Sequence, residues 1–350
     1  MDNLVEMFMK MLPVERAIGM VLCHDVTQIV PGKFKGPAFR KGHILREEDV
    51  PHLLSMGKEN IYAWDIHSDS GLLHENEAAE RIARAAAGRN IALTEPKEGK
   101  VEFVAAMDGL LKIQVEPLIA VNAPEIVLST IHTNQRVTRG KVLAGARVIP
   151  LVIDENKIQT VERLCADHRP LIQVVPFAQL EVGIITTGSE VYHGRIQDQF
   201  GPVVMQKIEE LGCRVIGQRF ASDDPAQIQQ EIRFFLGQGA RMITITGGMS
   251  VDPDDVTPAA IRRSGARVVT YGAPVLPGAM FMLAYLGDVP ILGLPGCVMY
   301  HRTSIFDVIL PRLLAGEEMD FQDIARLAHG GLCVHCKECR YPDCGFAKGA

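Results

Sequence analysis

The chain lacks three features that would assign it to a class directly: an excess of positive charge, a membrane-length apolar run and an internal repeat. Its formal net charge is −6, which gives no general attraction to nucleic acid or anionic lipid. No apolar stretch reaches the roughly 20 residues that span a bilayer. The first residues also lack the basic start and long uncharged centre of a signal peptide. We therefore expect a cytoplasmic protein without nucleic-acid or membrane partners.

What is present is the composition of a soluble globular protein, with 47% apolar and 22% charged residues. At 350 residues, the chain is long for one hydrophobic core, which favours several domains. We expect an N-terminal helix (Met1–Leu12) in a small β-rich domain over residues 1–70 and a mixed α/β domain over 71–176. An α/β domain over 177–316 and a short Cys-rich tail over 317–350 would follow.

Residues 177–316 alternate β-type runs with amphipathic helical patterns. Apolar runs end at Thr186, Ile216 and Thr246, and helical patterns follow each of them. Such alternation predicts an α/β fold with a doubly wound, mostly parallel sheet covered on both faces. We also expect a strand over Leu110–Ile119 and a final helix over Tyr300–Leu314.

Residues Thr246 to Pro258 are the first candidate for chemistry. A β-type run enters Gly247-Gly248, and three carboxylates follow at Asp252, Asp254 and Asp255. Glycines allow backbone N–H groups to approach an anion, and carboxylates supply oxygen ligands for a Mg²⁺-like ion. The same residue types are also common in solvated turns, so the segment alone does not decide between the two readings.

Other polar loops follow neighbouring strands of the predicted sheet. The ends of parallel strands meet at one edge, where ligands bind in this class of fold. We therefore expect the loops to lie together. Their candidate residues are Thr187, Gly188, Ser189, Glu190, Asp223, Gly247, Gly248, Ser250, Pro295 and Gly296.

Taken in order, these segments resemble the molybdopterin-binding domain of molybdenum-cofactor biosynthesis proteins, in particular the MoeA-like molybdopterin molybdenumtransferase branch. The resemblance covers about Val182 to Gly316. It rests on the loops above together with Ser222-Asp223-Asp224-Pro225, Pro277-Gly278 and Leu294-Pro295-Gly296. Met107-Asp108-Gly109 is similar to a signature of the same branch, although it comes later in the chain than expected.

The resemblance implies binding of molybdopterin or its adenylylated form. Backbone N–H groups of the Gly-Gly and Pro-Gly segments would hold the terminal phosphate. Asp255 or Glu190 would accept hydrogen bonds from the pterin ring. In the transferase branch, Mg²⁺ assists removal of a nucleotide while molybdate is inserted, which would give Asp255, Glu190 and Asp223 catalytic roles. Asp252 and Asp255 would then be the Mg²⁺ ligands.

The chain departs from the transferase branch in places that bear on catalysis. That branch has lysines around its Pro-Gly segment, where this chain reads Leu276-Pro277-Gly278-Ala279. Leu and Ala cannot replace cations that suit molybdate or phosphate. The loop after Gly296 continues Cys297-Val298-Met299, and Asp198-Gln199-Phe200 replaces a common Asp-Ser-Asn. We therefore expect binding of molybdopterin, and the departures argue against insertion of molybdenum.

The tail carries Cys333, Cys336, Cys339 and Cys344 within the last eighteen residues. In a chain without secretory features, such density indicates a metal site more than disulfides. Four thiolates suit a tetrahedral Zn²⁺ or a [4Fe–4S] cluster. A metal-free tail is the alternative.

Two kinds of function remain open from the sequence. The first is an enzyme that inserts molybdate. The second is a non-catalytic carrier, sensor or chaperone that docks a molybdoenzyme client through the Cys-rich tail. We also expect a homodimer, because sites in this family often lie between subunits.

Overall fold

The computed structural model describes residues 10–30, 34–64, 71–97, 99–250, 252 and 255–349. The chain forms two compact units: Met1–Met107 with Lys112–Ile131 and Arg139–Val174, and Asp108–Leu111 with His132–Thr138 and Val175–Ala350. The Cys-rich tail is thus part of the second unit, while the four-segment division expected from the sequence stays a prediction. No helix in the described ranges is long and apolar enough to cross a membrane.

Residues 10–175 form short antiparallel sheets and several helices. In chain order these are β1 (Lys10–Pro13), β2 (Val21–Leu22), β3 (Val26–Val30), β4 (Phe34–Phe39), α1 (Val50–Ser55), β5 (Asn60–Trp64), β6 (Leu72–His74), α2 (Glu75–Ala86), β7 (Ile91–Leu93), β8 (Lys100–Ala105), β9 (Gly109–Ile113), α3 (Val115–Val121), β10 (Ile126–Thr130), β11 (Gln135–Val137), β12 (Val142–Val148), β13 (Val152–Asp154), α4 (Glu155–Asp167) and β14 (Ile172–Val175). The strand orders are β1-β5-β2, β3-β4, β10-β12-β8-β7 and β13-β6.

Two expectations for this part of the chain were wrong. The helix expected through Leu12 is replaced at its end by β1, which pairs antiparallel with β5; Met1 to Met9 lie outside the described residues. The strand expected over Leu110–Ile119 ends at Ile113, and α3 follows. Pro117 lies in the first turn of α3, where its missing N–H breaks no helical hydrogen bond, so it is compatible with a helix. The β-branched residues around it gave the segment the pattern of a strand, which is why the prediction was wrong.

The second unit continues with an α/β arrangement. Its elements are β15 (Glu181–Thr187), α5 (Ser189–Tyr192), α6 (Phe200–Glu209), β16 (Arg214–Ala221), α7 (Pro225–Gly237), β17 (Met242–Thr246), α8 (Thr257–Arg263), β18 (Arg267–Tyr271), β19 (Met282–Leu286), β20 (Val289–Leu294), α9 (Cys297–Tyr300), α10 (Ile305–Leu314) and α11 (Phe321–Ala325). The strand order is β16-β15-β17-β20-β19-β18. The first four strands are parallel and the last two pair antiparallel. The predicted α/β class with a mostly parallel sheet is confirmed.

The sheet buries apolar side chains on both faces. Alternate strand residues point to opposite sides, so neighbouring residues of one strand enter different cores. Ile184 belongs to a cluster with residues of α6 and α10, whereas Ile185 belongs to a cluster with residues of α7 and α8. Each face is therefore closed by helices, and the ends of the strands are the part of the sheet left for polar loops.

The helix expected over Tyr300–Leu314 is divided into α9 and α10. Ser304 begins α10, because its Oγ accepts from the Phe306 N–H at 3.3 Å. Its own N–H donates to Asp307 Oδ2 at 2.8 Å. This reciprocal cap satisfies N–H groups that a continuous helix would not expose, and it fixes a new start at Ile305.

Candidate functional site

The parallel register places the loop-bearing strand ends side by side. Thr186 of β15 is level with Thr246 of β17, which is level with Leu294 of β20. Thr187 is likewise level with Ala221 at the end of β16. The loops that the sequence places after these strands therefore emerge at the same, carboxyl edge of the sheet, as expected for parallel strands.

Buried hydroxyl groups join the first two loops. Thr187 Oγ1 donates to the Thr246 carbonyl oxygen at 3.1 Å and lies 3.2 Å from Thr257 Oγ1. Thr257 Oγ1 in turn donates to the Gly247 carbonyl oxygen at 2.9 Å. Both threonines are buried. Thr187 was a predicted site residue, whereas Thr257 was missed because a threonine at a helix start gives no distinctive sequence signal.

The Gly-Gly loop, defined here as Thr246 to Ser250, requires its two glycines. Gly247 has φ +89° and Gly248 has φ +56°, in the left-handed region that favours glycine. A Cβ on Gly247 would lie 2.3 Å from the Thr187 carbonyl oxygen, and one on Gly248 would lie 2.7 Å from Thr257 Oγ1. The glycines thus allow the close approach of two loops that carry candidate site residues.

Backbone donors of the Gly-Gly loop are available to a ligand. Within the described part of the chain, the N–H groups of Gly247 and Gly248 donate to no backbone acceptor. Both residues are only half-buried. The same holds among the described residues for the N–H groups of Gly296 and Cys297, in the loop after β20. Unpaired N–H groups at a sheet edge are suited to bind an anion.

Tyr271 holds the end of the Gly-Gly loop. Its hydroxyl donates to the carbonyl oxygens of Met249 at 3.0 Å and Ser250 at 3.2 Å. Burial, and then the charge of Asp255, raise the pKa of Tyr271, while the nearby Arg262 guanidinium opposes the shift. The phenol therefore stays protonated and donating. Sequence reasoning missed Tyr271, which lies on an edge strand outside the expected loops.

The first loop positions Asp223 next to Ser189. Asp223 Oδ2 accepts from the Ser189 N–H at 2.8 Å, so this carboxylate fixes the loop and retains one oxygen for other partners. Asp224 accepts from the Ala226 N–H at 2.9 Å and caps α7. This is the capping role that Asp-Pro predicts. Glu190 is exposed beside them, and Gly188 adopts φ +133°.

The acidic turn brings Asp252 and Asp255 together. The Asp255 N–H donates to the Asp252 carbonyl oxygen at 2.9 Å, and the Asp252 N–H donates to Asp255 Oδ2 at 3.1 Å. Asp254 lies outside the described residues. In the ranges that the structure describes, no three His, Cys, Asp or Glu side chains form a group arranged to hold a metal ion. The predicted Mg²⁺ ligands are thus two neighbouring carboxylates, and their role stays a prediction.

The Leu-Pro-Gly loop follows β20. Pro295 is buried and its carbonyl oxygen accepts from the Val298 N–H at 3.0 Å, whereas Gly296 is exposed. Burial raises the pKa of the Cys297 thiol. At neutral pH this position therefore contributes an uncharged thiol and no negative charge.

Asp198 and Gln218 form a polar contact that the sequence did not reveal. Asp198 accepts from the N–H groups of Phe200 and Gly201 at the start of α6. Gln218 Nε2 donates to Asp198 Oδ2 at 2.5 Å and to Thr186 Oγ1 at 2.8 Å. Asp198 is therefore a structural cap that joins α6 to the strand ends. This capping role accounts for the Asp198 segment, including the adjoining Gln199 and Phe200, without a bound ligand.

Comparison with known proteins gives matches over part of the chain. Residues 183–315 match a family model described as a probable molybdopterin binding domain, and residues 11–65 match a domain of unknown function. A molybdopterin molybdenumtransferase of Synechococcus elongatus is 27% identical over 176 residues, 47% of this chain and 44% of that protein. A CinA-like protein of Mycolicibacterium vanbaalenii is 38% identical over 93 residues, 27% of this chain and 22% of that protein. The chain thus spans less than half the length of either curated relative.

Solved structures also align with part of the chain. The molybdopterin biosynthesis enzyme MoaB of Thermus thermophilus aligns with 40% of this chain and 98% of its own, at 20% identity and a TM-score of 0.33. The tungsten cofactor synthesizing protein MoaB of Pyrococcus furiosus aligns with 40% and 98%, at 15% identity and a TM-score of 0.34.

Proposed function

Residues 183–315 are a domain of the family described as probable molybdopterin binding, and from this premise we propose that the chain binds molybdopterin at the carboxyl edge of its parallel sheet. The observation that carries the proposal is the Gly-Gly loop. Its unpaired N–H groups, among the described residues, lie beside the joined hydroxyls of Thr187 and Thr257. Unpaired N–H groups on a loop that buried hydroxyl groups hold in place suit a phosphorylated ligand.

The terminal phosphate of the ligand would lie on backbone donors. Gly247 and Gly248 supply N–H groups from one loop, and Gly296 supplies another from the loop after the adjacent strand β20. Backbone donors keep their positions without loss of side-chain entropy, which suits a site that holds one phosphate.

The pterin ring, which is rich in N–H groups, requires acceptors. Glu190 and Asp255 are the candidates: Glu190 is exposed at this edge, and Asp255 uses one oxygen to accept from Asp252. A carboxylate accepts two N–H bonds in parallel and so fixes both the position and the orientation of a planar ring.

We favour a carrier of the cofactor over a transferase. The transferase branch, as the resemblance implies, uses lysines around the Pro-Gly loop, defined here as Leu276 to Ala279. In this chain that loop has no cation, and Leu276 pairs with the tail instead: its N–H donates to Gly331 O at 2.7 Å and its carbonyl oxygen accepts from the Cys333 N–H at 2.8 Å. The loop therefore has a structural partner where the transferases have charge.

Insertion of molybdate is the second candidate, and the Asp252–Asp255 turn favours it. Mg²⁺ is usually held by one or two carboxylates together with waters and substrate phosphates, so this donor set fits the ion. The bound ion would neutralise charge on phosphoryl oxygens. Asp223 would contribute its free oxygen to the same ligand.

Titration of the purified protein with adenylylated molybdopterin, in the presence of Mg²⁺ and molybdate, separates the candidates. The carrier binds the pterin and releases no nucleotide, whereas the transferase releases nucleotide with time. Asp255→Ala should weaken binding at least tenfold, about 1.4 kcal/mol. Asp288→Ala is the matched control, because Asp288 lies exposed in the β19–β20 hairpin turn, at the opposite end of β20. Equal pterin affinity of the wild type and the Asp255 variant would contradict this site.

Partners beyond the small molecule stay predictions. A homodimer is tested by sedimentation of the purified chain, and a molybdoenzyme client by co-purification with and without the tail.

A further inference from the structure

The Cys-rich tail forms a closed loop, which we call the Cys loop (Gly330–Ala347). Its two ends meet, since the Ala347 N–H donates to the Gly330 carbonyl oxygen at 2.9 Å. The loop is attached to the rest of the second unit by the Leu276 pairing described above and by Tyr341, whose hydroxyl donates to the Asp307 carbonyl oxygen at 2.9 Å. Phe346 is buried in the same core as α10. The loop is therefore fixed at its base.

The four tail cysteines line one pocket. The Cys loop and Tyr300–Thr303 enclose a volume of about 460 Å³ whose walls include Cys333, Cys336, Cys339 and Cys344. All four are free thiols. Cys333 and Cys344 pack against the core, whereas Leu332 is 67% exposed and Val334 is 78% exposed. Apolar contacts therefore hold the base of the loop, and a bound metal group would add contacts where the loop is exposed.

We propose that this pocket holds a [4Fe–4S] cluster bound by Cys333, Cys336, Cys339 and Cys344. The proposal concerns a site separate from the carboxyl-edge loops and does not depend on pterin binding. Two features favour a cluster over the single Zn²⁺ that the same cysteines would also suit: the size of the pocket and the arginines that line it.

The two groups differ in the size of the body that their thiolates surround. Tetrahedral Zn²⁺ with bonds of about 2.3 Å holds its sulfurs only about 3.8 Å apart. The four cysteines line the pocket, and in the described ranges no three metal-binding side chains are already arranged to hold a metal ion. A cubane cluster places four irons and four sulfides between its ligands, so its thiolates lie at the corners of a larger body. The pocket provides room for that body.

The surroundings also suit an anionic iron–sulfur cluster. Arg302 and Arg340 line the pocket, and neither guanidinium pairs with a carboxylate among the described residues. Their charges would offset those of four thiolates. Thr303 Oγ1 lies 3.2 Å from Cys339 Sγ, so its hydroxyl can donate to this ligand. Hydrogen bonds to cluster sulfurs are one of the ways in which a protein sets the reduction potential.

The test uses the full chain, purified without oxygen and reconstituted with ferrous iron and sulfide. We expect four irons and four sulfides per chain, with visible absorption that dithionite bleaches. Cys336→Ala should lose at least half of the bound iron. Cys336 is exposed, so the change removes a ligand without opening the core. Cys23→Ala, in the first unit, is the matched control and should keep the full iron content.

A second variant separates a ligand from a fold defect. Thr303→Val should retain the iron and lower the reduction potential, because the donor to Cys339 is removed. One tightly bound zinc per chain with no iron after reconstitution would overturn the proposal. So would a chain that binds neither metal, or iron content that is the same in the wild type and in Cys336→Ala.

Discussion

Two glycine loops of the second unit are built for different tasks. In the Gly-Gly loop, the glycines allow contact with polar partners, Thr187 and Thr257, and leave N–H groups without backbone acceptors in the described structure. In the Pro-Gly loop, a Cβ on Gly278 would lie 2.5 Å from the side chain of Ile305. The Pro277 carbonyl oxygen accepts from the Ile305 N–H at 3.1 Å.

The difference separates a loop that is open to a ligand from a loop that is used for packing. The Gly-Gly loop presents donors at the edge of the sheet, while the Pro-Gly loop is joined to the start of α10 and to the Cys loop. These contacts of the Pro-Gly loop are made by its backbone, so they do not require a cationic side chain. The two loops should therefore respond to the same substitution in different measurements.

Gly278→Ala should have the largest effect, and on stability. The new methyl group would overlap Ile305 in a left-handed conformation at φ +139°. Ile305 is fully buried and β-branched, so it cannot move aside. We expect a loss of about 3 kcal/mol in the free energy of unfolding, from overpacking and backbone strain together. Denaturant unfolding measures it. Pterin affinity of the folded fraction should stay within a factor of about two of the wild type; a larger loss would place the Pro-Gly loop in the ligand site.

Gly247→Ala should mainly affect ligand affinity. Its Cβ would contact the Thr187 carbonyl oxygen at 2.3 Å and force the two loops apart. We expect pterin affinity to fall about thirtyfold, roughly 2 kcal/mol. Gly212→Ala is the control: Gly212 has φ +82° but no atom within 4 Å of its added Cβ. Both variants carry similar backbone strain, so calorimetry would isolate the contact with Thr187. Equal affinities of the two variants would argue against the proposed site.

Features of these loops that depend on local sequence could be predicted, whereas features that depend on contacts between distant residues could not. Gly247, Gly248 and Asp223 were identifiable because turn residues follow strands at fixed places, and parallel strands bring such places together. Thr257 and Tyr271 were not, because their roles arise from contacts across the fold, with Gly247 ten residues away in the chain and Ser250 twenty-one residues away.

The same limit explains the errors in secondary structure. Local patterns identified β15 and β17, whose apolar runs are buried in the sheet. They failed at β1, where pairing with β5 overrides a helical pattern. The covering of Leu276 by the tail was not predictable either, since its two hydrogen bonds join residues more than fifty positions apart.

Thr187→Val should have an intermediate effect on stability. The substitution keeps the shape of the side chain but removes the hydroxyl that donates to the Thr246 carbonyl oxygen and contacts Thr257. We expect a loss of about 2 kcal/mol, because buried polar groups are left without a partner. Thr244→Val is a close control on β17: Thr244 is fully buried, and its hydroxyl has no hydrogen-bond partner in the described structure. That change should be neutral or stabilising. Matching losses for both variants would show that the Thr187 hydroxyl adds nothing specific.

Tyr271→Phe should have the smallest effect on the free energy of unfolding, and that effect should depend on pH. Loss of the bonds to Met249 and Ser250 should cost about 1 kcal/mol. Burial and Asp255 raise the pKa of Tyr271 in the folded state. The folded protein therefore holds the phenolic proton more tightly than the unfolded chain, whose tyrosine pKa is about 10. The stabilisation is complete below that pH and is lost as pH rises through the folded-state pKa. Urea unfolding between pH 8 and pH 11, with Tyr62→Phe on the exposed face of β5 as control, measures this difference. If the difference in stability between the wild type and Tyr271→Phe is the same at pH 8 and at pH 11, Tyr271 does not hold the Gly-Gly loop through its proton.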